Sequence, residues 1–175
     1  MDCNIAMKKT IKVIVSGDGG VGKTSFLTRL IHDNFDLNSE LTKGVDFFSK
    51  DVTINGYEYN FILWDFAGQL QFRKFLTDFV DGSLAAFVLF DLTRFKTLES
   101  VSKWIDKLKN TNKIPAFIIG TKIDTIDPNK AQSFDDYVLK IIKDNKNVIG
   151  YLKISSKTGF NVKKAFYTLV ERISN

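Results

Sequence analysis

The chain lacks most of what would build a cross-linked, secreted or membrane-spanning protein. Of its 175 residues one is cysteine, Cys3, so no internal disulfide can form, which fits a reducing, cytoplasmic setting. No apolar run approaches the ~20 residues needed to cross a bilayer. The opening residues, Met1 to Ala6, are too short and too polar for a secretory signal. Arginine is scarce: Arg29, Arg73, Arg94 and Arg172 are the whole set, and lysine supplies nearly all of the net charge of +5. No basic block interleaves with aromatics, so no nucleic-acid partner is expected. The dispersed lysines leave room only for weak contact with an anionic membrane surface. Low-complexity segments, internal repeats and linkers are missing too. The remainder, 44% hydrophobic and 13% aromatic, is expected to form one domain over 1–175 with a substantial core.

Against that background one run stands out. Gly17-Asp18-Gly19-Gly20-Val21-Gly22-Lys23-Thr24 fits G-x-x-x-x-G-K-[ST], the phosphate-binding loop. Ile11 to Val15 ahead of it predicts a buried strand, and Phe26, Leu27, Leu30 and Ile31 after it repeat at helical spacing. A strand that feeds a glycine-rich turn and opens a helix makes an anion site. The glycines let backbone N–H groups turn inward without Cβ clashes, and the helix N-terminus adds partial positive charge. Asp18, Gly19, Gly20, Val21, Gly22 and Ser25 are expected to surround the phosphates. Lys23 would reach the β- and γ-phosphates, and Thr24 would offer its hydroxyl to Mg²⁺.

The rest of the chain alternates strands with helices. After a polar stretch, His32 to Lys43, the segments Val45–Ile54 and Tyr57–Asp65 predict two strands joined by Asn55-Gly56. That dipeptide between alternating segments is a strong hairpin signal, because both turn residues must take φ > 0. Leu84–Asp91 and Ala116–Gly120 are continuous apolar runs suited to buried parallel strands, and Val148–Ile154 is a further strand. Leu98, Val101, Trp104, Ile105 and Leu108 form one helical stripe. Tyr137, Val138, Ile141 and Ile142 form another, with Ser133 and Asp136 as its capping box, and Val162, Ala165, Phe166, Leu169, Val170 and Ile173 form a third. The pattern predicts an α/β fold: a mostly parallel six-stranded sheet with one antiparallel hairpin strand, and helices on both faces. In such sheets the ligand sits beyond the carboxyl ends of the strands, and every motif in this chain falls there.

Four further constellations extend the phosphate loop. Trp64-Asp65-Phe66-Ala67-Gly68-Gln69 ends the second hairpin strand. Asp65 there suits a carboxylate that holds Mg²⁺, Gly68 would bring a backbone N–H to the γ-phosphate, and Gln69 would orient an attacking water. Thr42 would place a second hydroxyl on the metal. In Thr121-Lys122-Ile123-Asp124 the Asp124 carboxylate can accept from N1–H and N2–H₂ of guanine; adenine would leave it unpaired. The Lys122 stem would cover one face of the base. Ser155, Ser156 and Lys157 follow the last strand, where the Ser156 N–H would meet guanine O6.

Taken together and in this order, these residues resemble the Ras-like small GTPases over about Thr10 to Ser174, with the Rab branch the nearest in pattern. Thr42-Lys43-Gly44-Val45-Asp46-Phe47 is similar to T-I-G-V-D-F of Rab proteins, and Trp64 to Gln69 to W-D-T-A-G-Q. The resemblance implies the three-layer P-loop NTPase fold, a monomeric GTP- and GDP-binding switch with Mg²⁺, and slow GTP hydrolysis by Gln69, Lys23 and Thr42. It implies that Phe35 packs on guanine, and that Phe47, Trp64 and Phe79 present an aromatic triad to effector proteins. Activating and exchange proteins would be further partners.

Some positions depart from the pattern. Lys43 replaces an apolar residue, Leu70 stands where Rab proteins carry Glu, and Thr121 stands where most members have Asn. The last residues hold no prenylation box, so no lipid anchor is expected. Two rival classes are a small-molecule kinase on the same loop and a GTP-binding scaffold without appreciable hydrolysis. The kinase would need arginines converging on a second substrate, and the presence of Lys23, Thr42 and Gln69 together argues against the lost chemistry of the scaffold.

Overall fold

A computed structural model describes residues 8–37, 40–68, 79–112 and 114–174. Its six strands are β1 (Lys9–Gly17), β2 (Val45–Ile54), β3 (Tyr57–Phe66), β4 (Ser83–Asp91), β5 (Ala116–Thr121) and β6 (Val148–Lys153). They form one sheet in the order β2-β3-β1-β4-β5-β6. β1 lies between β3 and β4, parallel to both, and β4, β5 and β6 continue in parallel. Only β2 runs antiparallel, against β3. Asn55 and Gly56 join these two with φ of 51° and 82°, the doubly positive turn that the sequence predicts.

Side chains alternate across the sheet, so each strand feeds two cores. Val13, Val15, Phe87, Leu89, Phe117 and Ile119 meet the helices α1 (Lys23–His32) and α5 (Val162–Ser174) on one face. Ile14, Val88, Phe90 and Ile118 meet α2 (Phe95–Glu99), α3 (Val101–Asn112) and α4 (Pro128–Asp144) on the other. Val162, Ala165, Phe166, Leu169 and Val170 of α5 are buried, as the terminal stripe predicts. At ~1.5–3 kcal/mol for each large apolar side chain, that face is what holds the helix on the sheet.

Two helix expectations need correction. The stripe from Leu98 to Leu108 is buried throughout, but two helices carry it, with a break at Ser100. Ser133 and Asp136 do not cap α4. The helix starts earlier, at Pro128, and Asp127 is its N-cap, accepting from the Asn129 N–H at 2.8 Å. Proline at the first helical position fixes φ where no donor is needed, which makes this the better start. Ser133 instead donates to the Lys130 carbonyl at 2.7 Å inside the helix. The core face accordingly shifts to Ala131, Phe134, Val138 and Ile141, leaving Tyr137 exposed.

The end of β1 has one strict steric requirement. Gly17 has φ +139°, and a Cβ there would overlap the carbonyl oxygen of its β4 partner Leu89. Gly17→Ala is therefore expected to lose about 2–5 kcal/mol of stability from strain and overpacking together. Urea unfolding checks this, and a midpoint equal to that of the parent would show that the β1–β4 junction yields.

Candidate nucleotide-binding site

The phosphate loop spans from the end of β1 to the start of α1, and its backbone is held carbonyl by carbonyl. Lys23, 5% exposed, curls back to donate to the carbonyls of Gly17 at 3.1 Å and Asp18 at 3.0 Å. Arg94 Nη2 donates to Gly19 O at 3.1 Å, Lys122 Nζ to Gly20 O at 3.1 Å, and Thr121 Oγ1 to Val21 O at 2.6 Å. In a trans peptide the following N–H lies opposite its carbonyl. Fixing the carbonyls of Gly19, Gly20 and Val21 therefore aims the N–H groups of Gly20, Val21 and Gly22 the other way. Gly20 and Gly22 take φ of +70° and +94°, which only glycine adopts freely. Gly19 does not share this need, and a Cβ there meets nothing within 4 Å.

Beside the loop three oxygen-bearing side chains converge. Thr24 Oγ1 lies 2.6 Å from Thr42 Oγ1 and donates to Asp65 Oδ2 at 2.5 Å, while Thr42 Oγ1 stands 3.3 Å from the same carboxylate oxygen. Asp65 is fully buried at the end of β3, and its Oδ1 has no partner among the described residues. Burial pushes its carboxyl above the usual range, against the Thr24 hydroxyl and the Lys23 charge, which pull it down. One carboxylate and two hydroxyls make a hard-oxygen donor set, and an orphaned buried oxygen fits a cation. Among the described residues no three His, Cys, Asp or Glu cluster. A metal here would thus have few protein ligands, the regime in which Mg²⁺ is shared with phosphate oxygens.

The far end of the site rests on β5 and β6. Lys122 takes φ 63° and starts a 3₁₀ turn, Ile123–Thr125, that carries Asp124. The Ile123 N–H donates to Ile154 O at 3.1 Å, tying this turn to the end of β6. Arg29 of α1 donates to Ser156 O and Lys157 O, each at 2.7 Å, and so ties the last loop to the phosphate-loop helix.

A cavity of about 350 Å³ joins these parts. Its walls include Gly19, Gly20, Gly22, Lys23, Thr24, Ser25, Phe35, Thr42, Gly68, Thr121, Lys122, Asp124, Ser156 and Lys157. That volume lies within the range of small-ligand pockets. Four expected residues stand behind the wall instead. Val21 is fully buried beneath the loop, and Asp65 is buried behind the two threonines. Asp18 accepts from Trp104 Nε1 at 2.9 Å, and the Ser155 hydroxyl accepts from the Thr158 N–H at 3.0 Å. Gln69 and Leu70 lie outside the described residues. Phe47, Trp64 and Phe79 do form one cluster away from the cavity, with ring centroids 4.7 Å and 5.8 Å apart.

Sequence reasoning missed Arg29, Arg94, Asp91 and Leu41. Arg29 and Arg94 counted only as scattered arginines, since their partners are backbone carbonyls distant along the chain. Asp91 carried a usable signal, being a carboxylate at the end of a buried strand, as Asp65 is. Burial alone would raise its carboxyl, but bonds from Lys122 and Thr93 outweigh it and hold the group below the usual range. Leu41 gave no signal: it is exposed, yet lines the cavity from the polar stretch.

Comparison with known proteins supports the same reading. The model of the Ras family matches residues 12–175. Among curated proteins of Arabidopsis thaliana, the Ras-related protein RABA5c is 33% identical over 165 residues, covering 93% of this chain and 75% of the relative. RABA5b is 33% identical over 167 residues, covering 94% and 75%, and RABF2a is 31% identical over 165 residues, covering 93% and 80%. With these matches running through the strand-end motifs that surround one cavity, the chain belongs to the Ras family of small GTPases, enzymes that hydrolyse GTP, and is similar to its Rab-related members.

Proposed function

We propose that this chain is a guanine-nucleotide switch that binds GTP with Mg²⁺, turns it over slowly to GDP and phosphate, and signals its state to effectors of Rab-like membrane traffic. The observation that carries the reading is the meeting of Thr24, Thr42 and Asp65 oxygens at one end of a cavity whose other end holds Asp124. When bound, Mg²⁺ would neutralise charge on the phosphate oxygens. Thr24, Thr42 and Asp65 would hold it, Asp65 from behind the two hydroxyls. Lys23 would carry positive charge to the β- and γ-phosphates, and the loop N–H groups would donate to their oxygens. Asp124 would select guanine while Phe35 and Lys122 flank the base.

Thr42 stands on the polar stretch between α1 and β2, and Gly68 on the segment after β3. Both line the phosphate end, so loss of the γ-phosphate would release both. The Ala67 N–H donates to Gly44 O at 2.9 Å, which links the two segments. Phe47, 59% exposed and edge-on to Trp64, lies on β2 just beyond Thr42, where effectors could read that change.

Hydrolysis needs a positioned water and charge stabilisation, and little covalent chemistry from the protein. Asp36 to Leu41 contains no arginine. The intrinsic rate is therefore expected on the order of 10⁻⁴ s⁻¹, the Ras scale, rising up to ~10⁵-fold with a partner that donates one. The test is to identify the co-purified nucleotide and then follow single-turnover GTP hydrolysis with and without Mg²⁺. Hydrolysis that depends on Mg²⁺, and that slows about 10-fold or more in Gln69→Leu while GTP still binds, is the expected result. GTP held without turnover would instead support the scaffold, and parent-like turnover in Gln69→Leu would remove that residue from the reaction.

A further inference from the structure

We propose that Arg94, seated on the carboxylate of Asp91, is a positioning residue that fixes the phosphate loop and so sets how long a nucleoside di- or triphosphate stays bound. The inference rests on the nucleotide reading above and adds to it two residues outside the strand-end motifs.

Asp91 ends β4 with its side chain 1% exposed. Its Oδ1 accepts from the Thr93 N–H at 2.9 Å and the Thr93 hydroxyl at 2.7 Å. Its Oδ2 accepts from Arg94 Nε at 2.9 Å and Lys122 Nζ at 2.7 Å. A buried carboxylate thus carries two cations, and each cation spends a further donor on the phosphate loop. Arg94 takes Gly19 O and Lys122 takes Gly20 O, both at 3.1 Å. Two successive peptide planes of the loop are therefore referred to one buried anion.

The two ties differ in kind. Lys122 is a single ammonium on a flexible stem. The guanidinium of Arg94 is a rigid plane whose Nε and Nη2 cannot move relative to each other, so it sets Gly19 O at a fixed place relative to Asp91. The same head lies close to the next residue, 3.6 Å from where a Gly20 Cβ would be. Fixing the Gly19–Gly20 peptide fixes the Gly20 N–H on its far side, opposite the carbonyl that Arg94 holds. With Nε on Asp91 and Nη2 on Gly19 O, the guanidinium bridges the buried carboxylate to the loop. Thr121 adds to the need for such a tie. A hydroxyl has one proton, and Thr121 Oγ1 lies 2.6 Å from Val21 O and 3.0 Å from Phe90 O, so it can donate to only one of them.

Among variants of one site, affinity differences appear mostly in dissociation. The experiment uses the full chain with Mg²⁺ and fluorescent GDP, chased by excess unlabelled GDP, with GMP affinity measured in parallel by competition. Arg94→Met keeps the stem and removes the fork, and Arg94 is 45% exposed, so the fold should tolerate the change. Losing a charge-assisted bond is expected to speed GDP release about 10- to 100-fold. GMP has no β-phosphate to sense the loop, so its affinity should change by less than about 3-fold. Arg94→Lys, which keeps the charge without the fork, should fall between parent and Arg94→Met. GDP release within about twofold of the parent in Arg94→Met would overturn the clamp. So would equal losses for GMP and GDP, which would mark general damage to the fold. A parent chain that retains no GDP would overturn the nucleotide reading, and the clamp with it.

Discussion

An Asp124→Asn variant is expected to bind GTP on the order of 10²–10⁴-fold more weakly than the parent and to accept xanthosine triphosphate instead. The turn that carries Asp124 is pinned on both sides. The Thr125 N–H and hydroxyl donate to Lys122 O at 3.0 Å and 2.8 Å, and the Ile123 N–H donates to the end of β6 at 3.1 Å. A carboxylate on so fixed a turn can accept two hydrogen bonds from guanine, at N1–H and at the N2 amine. Hydrogen bonds to a charged group contribute about 1.5–3 kcal/mol each, so losing one, stripping the charge from the other and setting two donors face to face accounts for the fold-change. Asparagine offers one acceptor and one donor. It still accepts from N1–H but faces the guanine amine with its own amide, whereas xanthine has an oxygen at that position. Competition binding of GTP, ATP and xanthosine triphosphate to parent and variant decides the matter, and an unchanged preference for GTP would take base recognition away from Asp124.

The second large effect is steric. A Gly68→Ala substitution is expected to lower GTP hydrolysis about 10²–10³-fold while changing GDP affinity by less than about 3-fold. A Cβ on Gly68 would overlap the Asp18 carbonyl carbon, Gly17 O and the Gly19 nitrogen. All three are backbone atoms of a loop whose carbonyls Lys23 and Arg94 hold in place, so the loop cannot yield. Residue 68 would have to withdraw, taking with it the Ala67 N–H bond to Gly44 at 2.9 Å and the geometry around Thr42. GDP binding depends on the loop, Lys23 and the base end, which this displacement does not touch. Single-turnover hydrolysis beside GDP dissociation separates the two quantities. Parent-like hydrolysis by Gly68→Ala would show that the close approach of Gly68 to the loop is dispensable.

Both predictions concern motifs visible in one dimension, whose residues Gly68 and Asp124 line the cavity. Glycines in a phosphate loop, an aspartate ending a strand and a threonine after a polar stretch are recognisable because each is a local answer to a local requirement: φ > 0, a helix start, a strand end. The Asn55-Gly56 hairpin and the buried runs of β4 and β5 were legible for the same reason. Boundaries were less so. The apolar stripe places a capping pattern at Ser133, whereas Asp127-Pro128 supplies the cap of α4 a full turn and more ahead of it. The single stripe from Leu98 to Leu108 hid the break at Ser100, because burial periodicity continues across a break that leaves the same face inward.

From its sequence alone this chain determined its fold class and the places of a loop suited to phosphate, a carboxylate suited to a metal and one suited to guanine, because local spacing encodes all of these. Tertiary structure alone decided how that loop is held. Arg94 reaches the Gly19 carbonyl 75 residues away, Asp91 acts through Lys122, whose Gly20 partner lies 102 residues away, and Arg29 reaches the Ser156 carbonyl 127 residues away to tie the last loop to the phosphate-loop helix. A carbonyl is the same at every position, so no pattern of side chains can announce which one an arginine will find. Only the packing of β4, β5 and α1 around the end of β1 brings these cations to it.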